Sequence, residues 1–225
     1  MIQLAPVITI DGPSGSGKSV LSQALAKHLK WFNLESGMIY RILACLFLKK
    51  KSVISEKNLT YLLKDLDRYF IYNHGKICHL VIKEFLKYDI MSYEVTNLAS
   101  QLSTIAYVRN NLLIKQRLFR KYPGLVANGR DMGTTVFPDA IIKFFLQAEL
   151  KHRVFRRMHE LKKKGFSVHF KELFFQIQKR DNRDIKRKNS PLKPACNAII
   201  IDSSNMTAIE VFKLAINYIH AIIKI

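Results

Sequence analysis

The sequence has few cysteines, few acidic side chains and no long apolar run. Its three cysteines, Cys45, Cys78 and Cys196, are far apart and form no C-x-x-C pair. These spacings disfavour a disulfide framework or a structural zinc site, so we expect a reducing, cytoplasmic location. No apolar run approaches the ~20 residues of a membrane span. Residues 1–6 contain no basic segment followed by an apolar stretch, and we expect neither a signal peptide nor membrane attachment.

The shortage of acidic residues leaves a strongly basic chain. There are 37 Lys and Arg against 17 Asp and Glu, which gives a formal net charge of +20. Residues 143–193 alone contain 16 basic and 5 acidic side chains. This concentration favours polyanionic ligands, either nucleotides or nucleic acids, although lysine runs such as 49–51 and 162–164 are equally typical of a solvated surface. Because no helix-turn-helix, zinc or RNA-binding signature occurs, we expect no specific nucleic-acid partner.

The clearest motif is a glycine-rich segment near the start of the chain. Residues 6–10 form a short apolar, β-branched run, and Gly12-Pro13-Ser14-Gly15-Ser16-Gly17-Lys18-Ser19 then matches G-x-x-x-x-G-K-[ST] at every fixed position. Apolar residues follow at helical spacing from Val20 to Leu29, which gives the strand, loop and helix order that the motif requires.

This motif indicates a nucleoside triphosphate site. Glycines let successive backbone N–H groups approach phosphate oxygens, while the positive end of the following helix faces the same anion. Lys18 is expected to reach the β- and γ-phosphates, and the Ser19 hydroxyl to hold Mg²⁺. We therefore predict that residues Gly12 to Val20 bind a nucleoside triphosphate with Mg²⁺. The alternative is a glycine-rich turn that matches the pattern by chance.

The rest of the chain alternates strand and helix patterns within one α/β domain, since 225 residues suffice for one core with a small appendage. Beyond the run at 6–10, we predict strands at 31–34, 125–127, 140–146 and 198–201. We predict helices at about 41–48, 59–66, 105–120, 149–163, 169–184 and 208–223. The predicted strands are apolar without alternation, which is typical of a parallel sheet covered on both faces.

A β-hairpin pattern interrupts this alternation. Residues 68–72 and 77–82 are β-rich, and the connection at 73–76 has glycine near its end. Because a hairpin does not continue a β–α alternation, we predict an inserted subdomain at about residues 64–100.

Arginines recur on one side of each of two predicted helices. Arg153, Arg156 and Arg157 stand at i, i+3 and i+4, and the next helix carries Arg180, Arg183, Asp184 and Arg187. Guanidinium groups match phosphate oxygens in two-pronged geometry. Beside a phosphate loop, this pattern predicts a phosphate-clamping lid at about 150–190, with Arg156 and Arg157 on the phosphates of the nucleoside triphosphate. Ordinary surface charge is the alternative.

Polar residues also follow two of the predicted strands. Arg130 and Asp131 come after the strand at 125–127, and Ser36, Tyr40 and Arg41 come after the second strand. Ligands gather at the carboxyl ends of strands in open α/β sheets, so these residues are site candidates. A surface turn with an ion pair, and a helix surface around Tyr40, are the alternatives.

Several segments, taken together, resemble the bacterial cytidylate kinase family in that family's order. They are 10–18, 36–41 (Ser-Gly-Met-Ile-Tyr-Arg), 129–134 (Gly-Arg-Asp-Met-Gly-Thr), 180–184 (Arg-Asp-Asn-Arg-Asp) and 201–204 (Ile-Asp-Ser-Ser). The resemblance covers essentially the whole chain. It implies a nucleoside monophosphate kinase fold of the P-loop NTPase type, with a five-stranded parallel sheet flanked by helices, a helical lid and an insert that helps bind the monophosphate.

The resemblance also implies a phosphotransferase that moves the γ-phosphoryl group of ATP to CMP or dCMP. It places Ser36, Tyr40, Arg41 and Arg130 at the sugar and phosphate of the monophosphate, and Ser100, Arg109 and Asp131 at the cytosine edge. Arg180, Asp184 and Arg187 are expected to contact ribose and phosphates as the lid closes. With Lys18, the residues Asp131, Arg180, Asp184 and Arg187 are the expected catalytic set.

The chain departs from the family pattern at three positions, and the sequence also leaves two other functions open. Asn128 stands where the family usually has an acid, Glu35 replaces an aspartate, and Met91 lies where an isoleucine–arginine pair is common. The alternative enzyme is a phosphate-loop kinase for another small acceptor, such as a different nucleotide or shikimate. The alternative from another class is a nucleic-acid-binding protein. The absence of an N-K-x-D segment disfavours a GTPase. We expect a monomer.

Overall fold

The computed structural model describes residues 4–73, 76–80, 90–163, 165 and 167–222. Strands and helices alternate along most of the chain. The strands are β1 Val7–Asp11, β2 Phe32–Glu35, β3 Phe70–Asn73, β4 Lys76–Leu80, β5 Leu125–Asn128, β6 Ile142–Gln147 and β7 Ile199–Asp202. The helices are α1 Lys18–Leu29, α2 Ser36–Lys49, α3 Glu56–Leu66, α4 Tyr93–Leu102, α5 Ala106–Arg117, α6 Leu150–Lys163, α7 Phe170–Lys186 and α8 Ala208–Ile222.

Five strands form one parallel sheet in the order β2-β5-β1-β6-β7. Successive residues of β1 face opposite sides: Val7 packs with α2, α4 and α5, whereas Ile8 packs with α1 and α8. Both side chains are fully buried, so apolar residues are needed on each face of the sheet. The predicted five-stranded parallel sheet flanked by helices is confirmed.

The predicted hairpin is present as a separate two-stranded antiparallel sheet of β3 and β4. Asn73 and Lys76 already pair with each other, so two of the four residues predicted as the connection belong to the strands. Residues 74–75 and 81–89 lie outside the described part of the chain.

Helix α4 was not predicted. The Ser92 side chain accepts a hydrogen bond from the Val95 N–H at its first turn, and Val95 and Leu102 pack into the core beside α2. The missed signal is the spacing of Val95, Leu98 and Leu102, which places apolar residues on one helical face.

The chain runs that leave β1, β2 and β5 all begin at the carboxyl edge of the sheet, because the strands are parallel. There β1 leads to residues 12–17, β2 to α2, and β5 to a turn that ends in a π-helix at Met132–Val136. Helices α6 and α7 pack on each other around Val154, Leu173 and Ile177. None of the helices in the described part of the chain is long and apolar enough to cross a bilayer.

Candidate active site

The phosphate loop, residues 12–19, connects β1 to α1 with the backbone that an anion site requires. Gly15 and Gly17 have φ angles of 77° and 95°, in the left-handed region that favours glycine. A Cβ on Gly12 would lie 2.0 Å from the backbone oxygen of Leu146 in β6. The tight turn thus leaves no room for a side chain at Gly12, and it directs the first turn of α1 toward the cavity described below.

Lys18 is folded back onto the phosphate loop. Its Nζ donates to the Pro13 backbone oxygen at 2.5 Å and to Ser16 Oγ at 3.4 Å. Burial lowers the pKa of Lys18 well below its ordinary value, and the positive charges of Arg130 and Arg180 lower it further. The ammonium group therefore lies where an anion would relieve both its burial and this repulsion.

A cavity of about 1240 Å³ lies over the loop at the carboxyl edge of the sheet. Residues 14–20, which include Ser19 and Val20, form one wall. Arg41, Ser100 and Arg180 line the same cavity, and Arg156 and Arg157 line it from α6. The cavity thus brings predicted residues for both substrates to one space.

The donor set beside α1 fits a magnesium ion. Ser19 is exposed at the first turn of α1, and Glu35, at the end of β2, lines the same cavity. Hydroxyl and carboxylate oxygens are hard ligands of the kind that Mg²⁺ prefers.

A buried network of side chains adjoins the cavity: Tyr40, Arg109, Arg130, Asp131, Asp184 and Arg187. Its centre is Asp131, whose carboxylate forms a short ion pair with Arg109 and accepts from Arg187 Nη2 at 3.3 Å. Burial raises the pKa of Tyr40 to about 12, and Arg109, Asp131 and Arg187 all act on it electrostatically. The structure therefore brings together residues that are far apart in the sequence.

Arg130 joins this network to the phosphate loop. Its Nε donates to Asp184 Oδ2 at 2.7 Å, and its Nη1 donates to the Gly12 backbone oxygen at 2.9 Å. Burial acts to raise the pKa of Asp184, but the guanidinium groups of Arg130 and Arg180 outweigh it and hold that pKa below its ordinary value. Asp184 is thus a charged acceptor at neutral pH.

Arg41 and Arg180 are cations with unused donors in the cavity wall. The Nε atom of each is buried and has no hydrogen-bond partner among the described residues. Burial and neighbouring arginines lower the pKa of Arg41 to about 10 and that of Arg180 to about 9. Ser100 Oγ is likewise buried without such a partner. Unsatisfied buried donors beside positive charge are what an anionic ligand would complete.

The three arginines of α6 have different hydrogen-bond partners. Arg156 donates to Ser203 Oγ at 3.1 Å, near the end of β7, and Arg157 donates to Glu160 Oε2 at 2.7 Å and to the Met91 backbone oxygen at 3.1 Å. Arg153 donates instead to the Ser14 backbone oxygen at 3.0 Å and lies outside the wall of the cavity over the loop. Spacing on a helix predicted proximity but not the direction of each long side chain.

The departures from the family pattern have definite partners. Asn128 Nδ2 donates to Ser22 Oγ at 2.6 Å, and Glu35 accepts from Gln23 Nε2 at 2.6 Å. Arg41 Nη1 donates to Met91 Sδ at 2.6 Å.

Two residues that organise the site were missed. Asp11 accepts from the Met132 and Gly133 N–H groups at 2.9 and 2.8 Å, and burial raises its pKa to about 6. Gln116 Nε2 donates to Ser36 Oγ at 2.7 Å, which fixes a predicted substrate residue. Asp11 was signalled by its place directly before the phosphate loop, whereas nothing in the sequence marks Gln116.

Comparisons with known proteins agree with this geometry. The family model for cytidylate kinase matches residues 8–221. The chain is 49% identical over 217 residues to the cytidylate kinase of Buchnera aphidicola subsp. Baizongia pistaciae, covering 96% of this chain and 94% of that relative. It is 46% identical over 224 residues to the cytidylate kinase of Serratia proteamaculans, covering 99% and 98%. A crystal structure of an uncharacterized protein from Eubacterium ventriosum shares the fold, with a TM-score of 0.50, 16% identity and coverage of 96% and 98%. The chain therefore belongs to the cytidylate kinase family.

Proposed function

We propose that this chain transfers the γ-phosphoryl group of ATP, bound with Mg²⁺, to CMP or dCMP. As a member of the cytidylate kinase family it is a nucleoside monophosphate kinase that phosphorylates CMP. The proposal adds the phosphoryl donor, the deoxy substrate and the roles of individual residues. It also includes a monomeric state.

The phosphate loop would hold ATP through its backbone amides. Lys18 would exchange its bond to the Pro13 oxygen, at 2.5 Å, for phosphate oxygens. Ser19 would hold Mg²⁺, and Glu35 lines the same part of the cavity. Bound Mg²⁺ would supply neutralisation of the charge that develops on the phosphates.

The observation that carries the acceptor assignment is the pair of buried, unsatisfied Nε atoms of Arg41 and Arg180, in the wall of the cavity that the phosphate loop also lines. Two guanidinium groups in the wall of the cavity that Lys18 also lines suit a second phosphate group in line with the γ-phosphate of ATP. Arg130 and Arg187 would add positive charge, while Asp184 would accept from a ribose hydroxyl. Ser36 and Tyr40 would border the sugar.

The base would be read by Asp131, Arg109 and Ser100. Cytosine presents an amino donor next to ring acceptors, so a carboxylate beside donors discriminates it from other bases. The short Arg109–Asp131 ion pair and the free Ser100 hydroxyl provide that combination. Catalysis then needs no covalent intermediate: alignment, charge neutralisation by arginines and exclusion of water by α6 and α7 suffice.

A coupled assay of ADP release tests this function. With Mg·ATP, we expect CMP and dCMP to be phosphorylated much faster than AMP, GMP or shikimate. Turnover of AMP at a rate comparable to CMP would contradict the assignment of Asp131, Arg109 and Ser100 to the base.

A further inference from the structure

The phosphate loop is bound from outside the cavity by one ion pair. The Ser14 N–H donates to Asp181 Oδ1 of α7 at 3.1 Å, and the Ser14 oxygen accepts from Arg153 Nη1 of α6 at 3.0 Å. Arg153 and Asp181 also form a short ion pair with each other. Both backbone hydrogen-bonding groups of Ser14 are therefore bound by two side chains that belong to different helices.

This contact is rigidly supported. Arg153 and Asp181 are 7% and 6% exposed, and Arg153 Nε donates to the Ala148 oxygen, beyond the end of β6, at 2.7 Å. A Cβ on Gly15 would lie 3.2 Å from both the Cβ and the backbone oxygen of Arg153. The loop backbone thus packs directly on α6, with little freedom to shift.

Neither side chain touches the space where the substrates would lie. Arg153 and Asp181 are absent from the wall of the cavity over the loop and instead border a smaller hollow on the other side, with Pro13. Their contacts reach the site through the loop, while the charge of Asp181 also acts on Lys18 and Arg180. Phosphate binding by backbone amides depends on holding those amides in one conformation before the ligand arrives.

We propose that Arg153 and Asp181 are positioning residues that hold the phosphate loop in its ATP-binding conformation, so that ATP affinity depends on the placement of α6 and α7. This inference rests on the proposed function, since it takes the loop to be the ATP site. It assigns to Arg153 a role on the loop backbone rather than on phosphate, and it adds Asp181 to the residues that determine ATP affinity.

The test compares Asp181→Ala and Asp181→Asn with the wild type. Asp181→Ala removes both contacts, whereas Asp181→Asn keeps an acceptor for the Ser14 N–H and loses the charge opposite Arg153. Calorimetric titration with a non-hydrolysable ATP analogue, without CMP, should show affinity falling about tenfold or more in Asp181→Ala, with Asp181→Asn between it and the wild type. The KM for CMP should stay within about twofold of the wild-type value.

Asn182→Ala is the matched control, because Asn182 is the next residue of α7 and is exposed. It should bind the analogue as the wild type does. Thermal melts identify the temperature range in which each variant is folded, and the titrations are made there. If Asp181→Ala does not fold, Asp181→Asn and Arg153→Lys are compared with the wild type by the same two measurements, the affinity for the analogue and the KM for CMP.

Wild-type affinity for the analogue in folded Asp181→Ala would overturn the inference, as would an equal loss for the ATP analogue and for CMP. The two proposals fail separately. A wild type that binds the analogue but does not phosphorylate CMP contradicts the proposed function, whereas the split between ATP and CMP in the Asp181 variants tests the inference alone.

Discussion

The phosphate loop uses the backbone of one short segment, whereas the buried network beside it uses side chains from residues 40 to 187. In the loop, glycines at positive φ and a crowded Gly12 fix the path of the chain. In the network, Asp131 is held by Arg109 and Arg187, and Asp184 is held by Arg130. The phosphate loop and the network beside it are thus stabilised by different kinds of interaction.

This difference predicts different responses to mutation. A backbone site loses activity when its one charged side chain is removed, and it keeps its shape. A side-chain network loses a partner whenever any member is removed, because a buried charge without its counter-ion is unfavourable by several kcal/mol. The following variants separate the two responses, beginning with the largest expected effect.

Lys18→Ala should lower kcat on the order of a hundredfold or more, because it removes the cation beside the β- and γ-phosphates but leaves the loop backbone intact. The melting temperature should not fall, since among the described residues Lys18 donates hydrogen bonds only within the phosphate loop, and its charge is unfavourably buried. Steady-state kinetics with a thermal melt measure both. Near-normal turnover in the folded variant would show that the loop does not hold the reacting ATP.

Asp11, which directly precedes the phosphate loop, should make the free energy of unfolding depend on pH. Its pKa is raised from 3.8 to about 6, so its contribution to the free energy of unfolding is complete below pH 4 and is lost as pH rises through 6. A shift of this size corresponds to about 3 kcal/mol. Denaturant titrations from pH 4 to pH 8 should show wild-type stability falling relative to Asp11→Asn across this interval. Parallel curves for the two proteins would contradict the prediction.

Arg187→Ala should lower kcat and kcat/KM together by roughly ten- to a hundredfold, since its charge is expected to matter most in the closed, reacting state. It also leaves Asp131 with Arg109 as its remaining ion-pair partner, so a loss of stability should accompany the loss of activity. Lys186→Ala, at the exposed end of α7, is the control and should behave as the wild type. Unchanged kinetics in Arg187→Ala would show that this arginine has no role in the reaction.

Arg183→Ala should have the smallest effect, within about threefold in kcat, because long hydrogen bonds between partly exposed groups contribute little. Its guanidinium reaches Asn97 of α4 at 3.3–3.4 Å, which connects α7 to α4 without touching the buried network. A large loss of activity in this variant would mean that the contact between α7 and α4 limits the reaction.

The same contrast explains what could be predicted from the sequence. The phosphate loop was found directly because its residues are contiguous and its strand and helix carry periodic apolar patterns. The five strands followed from apolar runs such as 125–127. Asp131 and Arg109 could be connected only through the family resemblance, since 22 residues and a strand separate them.

What could not be predicted was the direction of long side chains and the pairing of distant polar groups. Arg153, Arg156 and Arg157 share a helical face by spacing, yet their guanidinium groups reach three different parts of the molecule. The Gln116–Ser36 bond spans 80 residues and depends on the packing of α5 beside α2. Such pairings are decided by tertiary structure, which local periodicity does not contain.

The guanidinium groups around the cavity couple the stability of the folded protein to the binding of its substrate. Arg41 and Arg180 have lowered pKa values, and among the described residues their buried Nε atoms have no acceptor, so the cavity wall carries electrostatic repulsion that a bound phosphate group would cancel. A ligand that binds only the folded chain adds about 2.7 kcal/mol of stability at a concentration a hundred times its Kd. The lifetime of this protein in the cell should therefore depend on the nucleotide concentration. At low nucleotide concentration the folded state should be less stable and unfold more often, and at high concentration it should be more stable.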